Sequence, residues 1–124
     1  MLQKFPRACR LHQRVEFERA LKNKALLNKW FALYTERNAV TSERLGIIVS
    51  KRIVSRAVDR NRLKRIVRET FRRNADANKT PADIVVRVRV CPSNEDMMEF
   101  RSSLTRLLMK MRMTQNDAPV SSLY

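Results

Sequence analysis

The chain has 124 residues, 44% of them hydrophobic and 31% charged, with 27 Lys or Arg against 12 Asp or Glu and a formal net charge of +15. That length suits one domain with a modest core, and that hydrophobic content excludes a disordered basic tail, which combines high charge with low hydrophobicity. No apolar run approaches the roughly 18 residues of a membrane-crossing helix, and MLQKFPRACR lacks the apolar stretch of a secretory signal. The expectation is a cytoplasmic protein with a polyanionic partner.

The first ten residues read as extended, since Pro6 resists a helix. Phe17, Ala20 and Leu21 then recur at helical spacing, giving a short first helix over about 13–23. WFALYTE, 30–36, and RLGIIVS, 44–50, read as strands. The polar turn between them is too short for a crossover, which predicts an antiparallel hairpin. Trp30 is expected to pack the domain. Residues 51–73 follow as a basic helix, ending near Asn74 in the polar segment NADANKT. DIVVRVRV, 83–90, is the clearest strand, with Ile84, Val86, Val88 and Val90 on one face and Val85, Arg87 and Arg89 on the other. For the two arginines a solvated face is the default. After Pro92, Ser93 and Asp96 resemble a capping box. A last helix runs to about Met113 on a stripe of Met97, Phe100, Leu104, Leu107, Leu108 and Met111. The order α-β-β-α-β-α predicts an α+β fold, a two-layer sandwich of helices over one small mixed sheet. One domain is expected over residues 1–113, with 114–124 as a flexible tail.

Residues 51–73 carry ten Lys or Arg against Asp59 and Glu69, a net +8. Their order matters more than their number. Leu63, Ile66, Val67, Thr70 and Phe71 fall at i, i+3, i+4, i+7 and i+8, the stripe that anchors one helix face in a core. Asn61, Arg65, Arg68 and Arg72 line the opposite face, with Arg62 and Lys64 at its edges. A core-anchored helix with a cationic ridge suits an array of phosphates.

Catalytic chemistry finds little support. The twelve acids are dispersed along the chain, whereas a metal-dependent phosphodiesterase needs clustered carboxylates. Cys9 and Cys91 have no zinc-ligand spacing and read as free thiols in a reducing compartment. His12 is the single histidine and cannot form a two-histidine metal site.

SKRIVSRAVDRNRLKRIVRETFRR resembles the signature region of the bacterial ribonuclease P protein subunit: Arg60-Asn61-Arg62, then Lys64-Arg65, then Arg68. The likeness extends to Phe17 after RLHQRVE, to FALY at Phe31–Tyr34, to RLGIIVSKR at Arg44–Arg52 and to DIVV at Asp83–Val86, covering roughly residues 9–110. It implies a non-catalytic partner of a large catalytic RNA that removes the 5′ leader of precursor tRNA by Mg²⁺-dependent hydrolysis. The RNA subunit would require the Mg²⁺, and the protein itself would bind no cofactor.

By the same resemblance, Arg60, Asn61, Arg62, Lys64, Arg65 and Arg68 would bind the catalytic RNA, and Arg72 extends the ridge by a turn. Phe17, Leu21, Tyr34, Lys51 and Arg52 would hold the single-stranded leader between the first helix and the sheet. Leu21 departs from the pattern, which often has an aromatic there. From the residues alone, Phe17 could equally be core, and Tyr34 a sheet-face residue with its hydroxyl in water. The resemblance also implies a left-handed crossover between the second and third strands. The chain itself suggests neither a membrane nor an obligate protein partner. Two other readings suit a basic chain. A small ribosomal RNA-binding protein would explain the ridge but not the paired aromatics at Phe17 and Tyr34. A DNA-binding regulator would place its recognition helix after a tight helical turn, not between strands.

Overall fold

The computed structural model describes residues 10–11, 13–37, 43–74 and 82–116. The N-terminal stretch expected to be extended, Cys9, His12, the turn expected after Arg37, the segment after Asn74 and the residues beyond Asn116 lie outside the described residues. The elements are α1 (Arg14–Leu21), β1 (Leu26–Leu27), β2 (Phe31–Arg37), β3 (Arg44–Ile48), α2 (Ala57–Arg73), β4 (Ala82–Val88), a 3₁₀ turn (Asn94–Asp96) and α3 (Met97–Asn116). Together they form the expected α+β fold with a mixed sheet. The two-residue β1 escaped the sequence reading because so short a run has no period to detect.

The sheet order is β1-β2-β4-β3. The hairpin expected between β2 and β3 does not form: β4 lies between them, antiparallel to β2 and parallel to β3. Six of the seven residues of β4 are buried, Arg87 being the exception. A strand apolar on both faces belongs at a sheet centre. Skipping one strand separates β2 from β3 by only about 10 Å, within reach of the six intervening residues. The parallel β3–β4 pair needs a long crossover, and α2 supplies it. β4 also ends two residues early, leaving Val90 42% exposed instead of on the core face.

The helices divide between the two sheet faces. On one face α2 buries the predicted stripe of Leu63, Ile66, Val67, Thr70 and Phe71. Alongside it α3 buries Phe100, Leu104, Leu107, Leu108 and Met111 against Phe31, Leu33, Ile84 and Val86. Phe100 meets Phe31 at 4.6 Å and Trp30 edge-on at 5.9 Å between ring centroids, and the Trp30 indole N–H donates to Glu99 at 2.9 Å. The entry to α3 is capped as expected, the Ser93 amide and hydroxyl both donating to the Asp96 carboxylate.

α1 covers the other face through a smaller cluster of Leu11, Ala20 and Val85, with Phe17, Tyr34 and Ile48 packed on it. Polar bonds hold it there. Arg44 on β3 donates to both carboxylate oxygens of buried Asp83 on β4, at 2.8 and 2.9 Å, and reaches Glu16 on α1 at 2.8 Å. These bonds to Asp83 raise the Arg44 pKa above that of an ordinary arginine. At the other end of α1, the Asn23 amide donates to the Glu36 carboxylate at 2.7 Å and to the Thr35 carbonyl. Gly46 lets the helix approach, because a Cβ there would sit 2.5 Å from Phe17 Cε1 and 3.0 Å from Leu11 Cδ1. No helix among the described residues is long and apolar enough to cross a membrane.

Two substitutions check this architecture. Ile66→Ala should cost about 2–5 kcal/mol in denaturant unfolding through a core cavity, while Arg65→Ala should leave stability within about 0.5 kcal/mol; reversed outcomes would mean the helix faces are misassigned. Gly46→Val should destabilise by about 1–3 kcal/mol through overpacking, and pairing it with Phe17→Ala should recover part of that loss. A strictly additive double mutant would show that the two positions do not meet.

Candidate nucleic-acid interface

α2 presents its cations in two groups. Asn61, Arg62 and Arg65 are exposed, whereas Arg60, Lys64, Arg68 and Arg72 are partly buried. Arg60 folds back on the start of its own helix, donating to the Val54 and Ser55 carbonyls at 3.0 and 2.8 Å. It therefore shapes the turn before α2 as well as adding charge. Arg62 reaches the Asn94 side chain at 3.4 Å, at the entry to α3.

Lys64 and Arg68 turn toward α1. With Arg10, Phe17 and Gly46 they line a cavity of about 150 Å³ where α2, β3 and α1 meet. Burial lowers the Arg68 pKa, and the like charges of Arg10 and Arg65 add to the effect. Cations crowded in this way favour an incoming anion, because one phosphate relieves their repulsion. Arg10 was not singled out from the sequence; only the bridge between Arg10 and Leu45 brings it beside the helix.

The second concavity lies between α1 and the sheet, with a volume of about 380 Å³. Leu21, Ile48, Ser50, Arg52, Arg87 and Arg89 are among its lining residues. Leu21 is 36% exposed, an apolar wall at the mouth. Arg52 and Lys51 sit in the exposed turn that follows β3, but only Arg52 lines this cavity. Phe17 is half-buried and faces the Lys64–Arg68 cavity, while packing in the same cluster as Tyr34. Both aromatics pack in the cluster beneath α1 and keep some exposed surface.

Arg87 is exposed, as expected of a solvated face, and also lies against a ring. Its guanidinium carbon lies 5.9 Å from the centre of the Tyr34 ring, within cation–π range. Arg89 lines the same cavity and donates to the Asn28 carbonyl. The alternation in DIVVRVRV was the available signal, since it puts Arg87 on the face of Val85. What it lacked was the register that brings β2, and so Tyr34, beside that face.

Phosphates and bases ask for different surfaces, and both are present. Crowded cations along α2 suit a folded backbone; an apolar-floored cleft lined by arginines, one of them 5.9 Å from the Tyr34 ring, suits an unpaired strand.

Comparison with known proteins points the same way. The family model described as Ribonuclease P matches residues 5–112. The ribonuclease P protein component of Thioalkalivibrio sulfidiphilus is 38% identical over 105 residues, covering 84% of this chain and 87% of that protein. That of an Azoarcus species is 34% identical, covering 90% and 93%. Among solved structures, the Staphylococcus aureus RNase P protein superposes with a TM-score of 0.74 at 31% identity, covering 85% of this chain and 96% of that one. The Thermotoga maritima RNase P protein gives 0.63 at 34% identity, covering 82% and 93%. By sequence and by fold, the chain belongs to the bacterial ribonuclease P protein family.

Proposed function

We propose that this chain binds the catalytic RNA of ribonuclease P through α2 and holds the 5′ leader of precursor tRNA in the cleft between α1 and the sheet. Arg62, Arg65, Lys64 and Arg68 contact RNA phosphates, with Asn61 and Arg72 at the margins of that surface. Arg60 fixes the turn from which the helix starts. Leu21, Tyr34 and Arg52 receive the leader, with Lys51 as an outer cation and Phe17 joining the cleft to the helix. Hydrolysis belongs to the RNA and its Mg²⁺; the protein supplies cations around the phosphates and a rigid groove for the unpaired strand. The observation that carries this reading is the adjacency of the two surfaces: Phe17 packs with Tyr34 beneath α1 and lines the cavity of Lys64 and Arg68. The catalytic RNA on α2 and the precursor leader in the cleft can therefore lie side by side on one protein.

Cleavage of a precursor tRNA by protein alone, RNA alone and both together tests this directly. The protein alone is expected to cleave nothing, and its addition to the cognate RNA should raise activity most at low Mg²⁺, where +15 of charge replaces screening cations. Cleavage by rigorously RNA-free protein would overturn the assignment, as would capture of ribosomal RNA in place of ribonuclease P RNA.

For the leader, Tyr34→Ala should weaken precursor tRNA binding to the holoenzyme by about 1–3 kcal/mol, the usual value of one base stacked on an aromatic ring. Mature tRNA, which has no leader, should bind nearly as before. Equal losses for both substrates would make Tyr34 a structural residue only.

A further inference from the structure

Three cations border a third concavity that neither RNA surface uses. Where β1 meets α3, a groove of about 270 Å³ is lined by Leu27, Lys29, Trp30, Glu99, Arg106 and Lys110, among others. Glu99, Ser103, Arg106, Leu107 and Lys110 fall on one face of α3 at i, i+4, i+7, i+8 and i+11, so the helix aims them together. Lys29 enters from the β1–β2 connection, its ammonium 4.6 Å from the Trp30 ring centre. Lys29, Arg106 and Lys110 are all exposed. The one acid, Glu99, accepts the Trp30 indole N–H at 2.9 Å, which leaves the groove net positive.

We infer that this groove is a second phosphate-binding surface for the catalytic RNA, at the opposite edge of the sheet from α2. The inference rests on the proposed RNA partner. Position supports it: β1 is one edge of the sheet and packs on α3, while β3, the other edge, packs on α2. Charge selects the ligand, since three cations around one hydrogen-bonded carboxylate fit a polyanion. The groove reads backbone and not bases, because Trp30 is only 2% exposed and offers no open ring face for stacking. Exposed Leu27 at the rim adds a sugar-sized apolar contact. The chain thereby meets a large folded RNA from two sides, which fixes its orientation as one ridge could not.

Arg106→Ala with Lys110→Ala tests the inference, because alanine keeps the helix and both side chains lie outside the core. Binding of the full chain to its cognate ribonuclease P RNA would be measured from 50 to 400 mM salt. Two lost phosphate contacts should reduce the salt slope by about two and weaken binding roughly ten- to thirtyfold near 0.15 M salt. The charge-preserving pair Arg106→Lys with Lys110→Arg should keep the wild-type slope. An unchanged slope in the alanine pair, while wild type binds tightly, would overturn the groove alone. So would equal losses in both pairs, or lost binding to anionic lipid vesicles with RNA binding intact. Failure of the wild-type chain to bind this RNA would instead overturn the functional reading beneath it.

Discussion

The burial of β4 on both faces, Arg87 alone excepted, is the constraint on which the rest of the structure turns. Ala82, Ile84, Val85 and Val86 are 0% exposed, so the strand must be covered on both faces and flanked on both edges. Covering one face recruits α2 and α3, and covering the other recruits α1. Flanking the edges places β2 and β3 on either side, which pushes β3 and its following turn toward the start of α2. Arg87 of β4 lies beside Tyr34 of β2 and lines one cavity with Arg52, in the turn after β3, because β4 stands between β2 and β3. A hairpin of β2 and β3 would have put those residues on a different surface.

Burying Asp83 within that strand creates an electrostatic demand, and the way it is met positions α1. A carboxylate removed from water is costly unless paired and hydrogen-bonded. Arg44 meets the need with a bidentate bond, the strong geometry for this pair, and its remaining nitrogen holds Glu16. The helix that roofs the cleft is thus tied to the sheet by the same guanidinium that neutralises the central strand. Arg112 does comparable work at the far end of α2, donating to buried Glu43 at 3.0 Å and to the Asn74 carbonyl while lying over Phe71. A chain of high positive charge uses some of its arginines as internal fasteners, and they should not be counted as RNA contacts. Arg60, bonded to the Val54 and Ser55 carbonyls, is another such fastener.

The remaining cations are held against their own repulsion. Lys64, Arg68 and Arg10 converge on one small cavity; the Arg68 pKa is lowered there by burial first and by the charges of Arg10 and Arg65 second. The apolar stripe beneath α2 sustains it, since Ile66 and Val67 fix the helix whatever its outer face carries. Such a surface is pre-organised, and that lowers the cost of receiving an anion.

Much of this was legible in the chain itself. The helical period of Leu63, Ile66, Val67, Thr70 and Phe71 determined which side of α2 is core, because burial of that stripe is a local consequence of 3.6 residues per turn. Alternation determined the strands, and charge with the Arg-Asn-Arg pattern pointed to an RNA partner. Strand order was not legible: a short connection between two strands permits either pairing or a one-strand gap, and only the two-faced burial of β4 decides between them. For the same reason Arg87 read as ordinary surface charge and Arg10 was not singled out, since their neighbours come from distant elements. Alternation placed Arg87 on a face and register placed Tyr34 beside that face; the cleft exists because packing brought α1 over both.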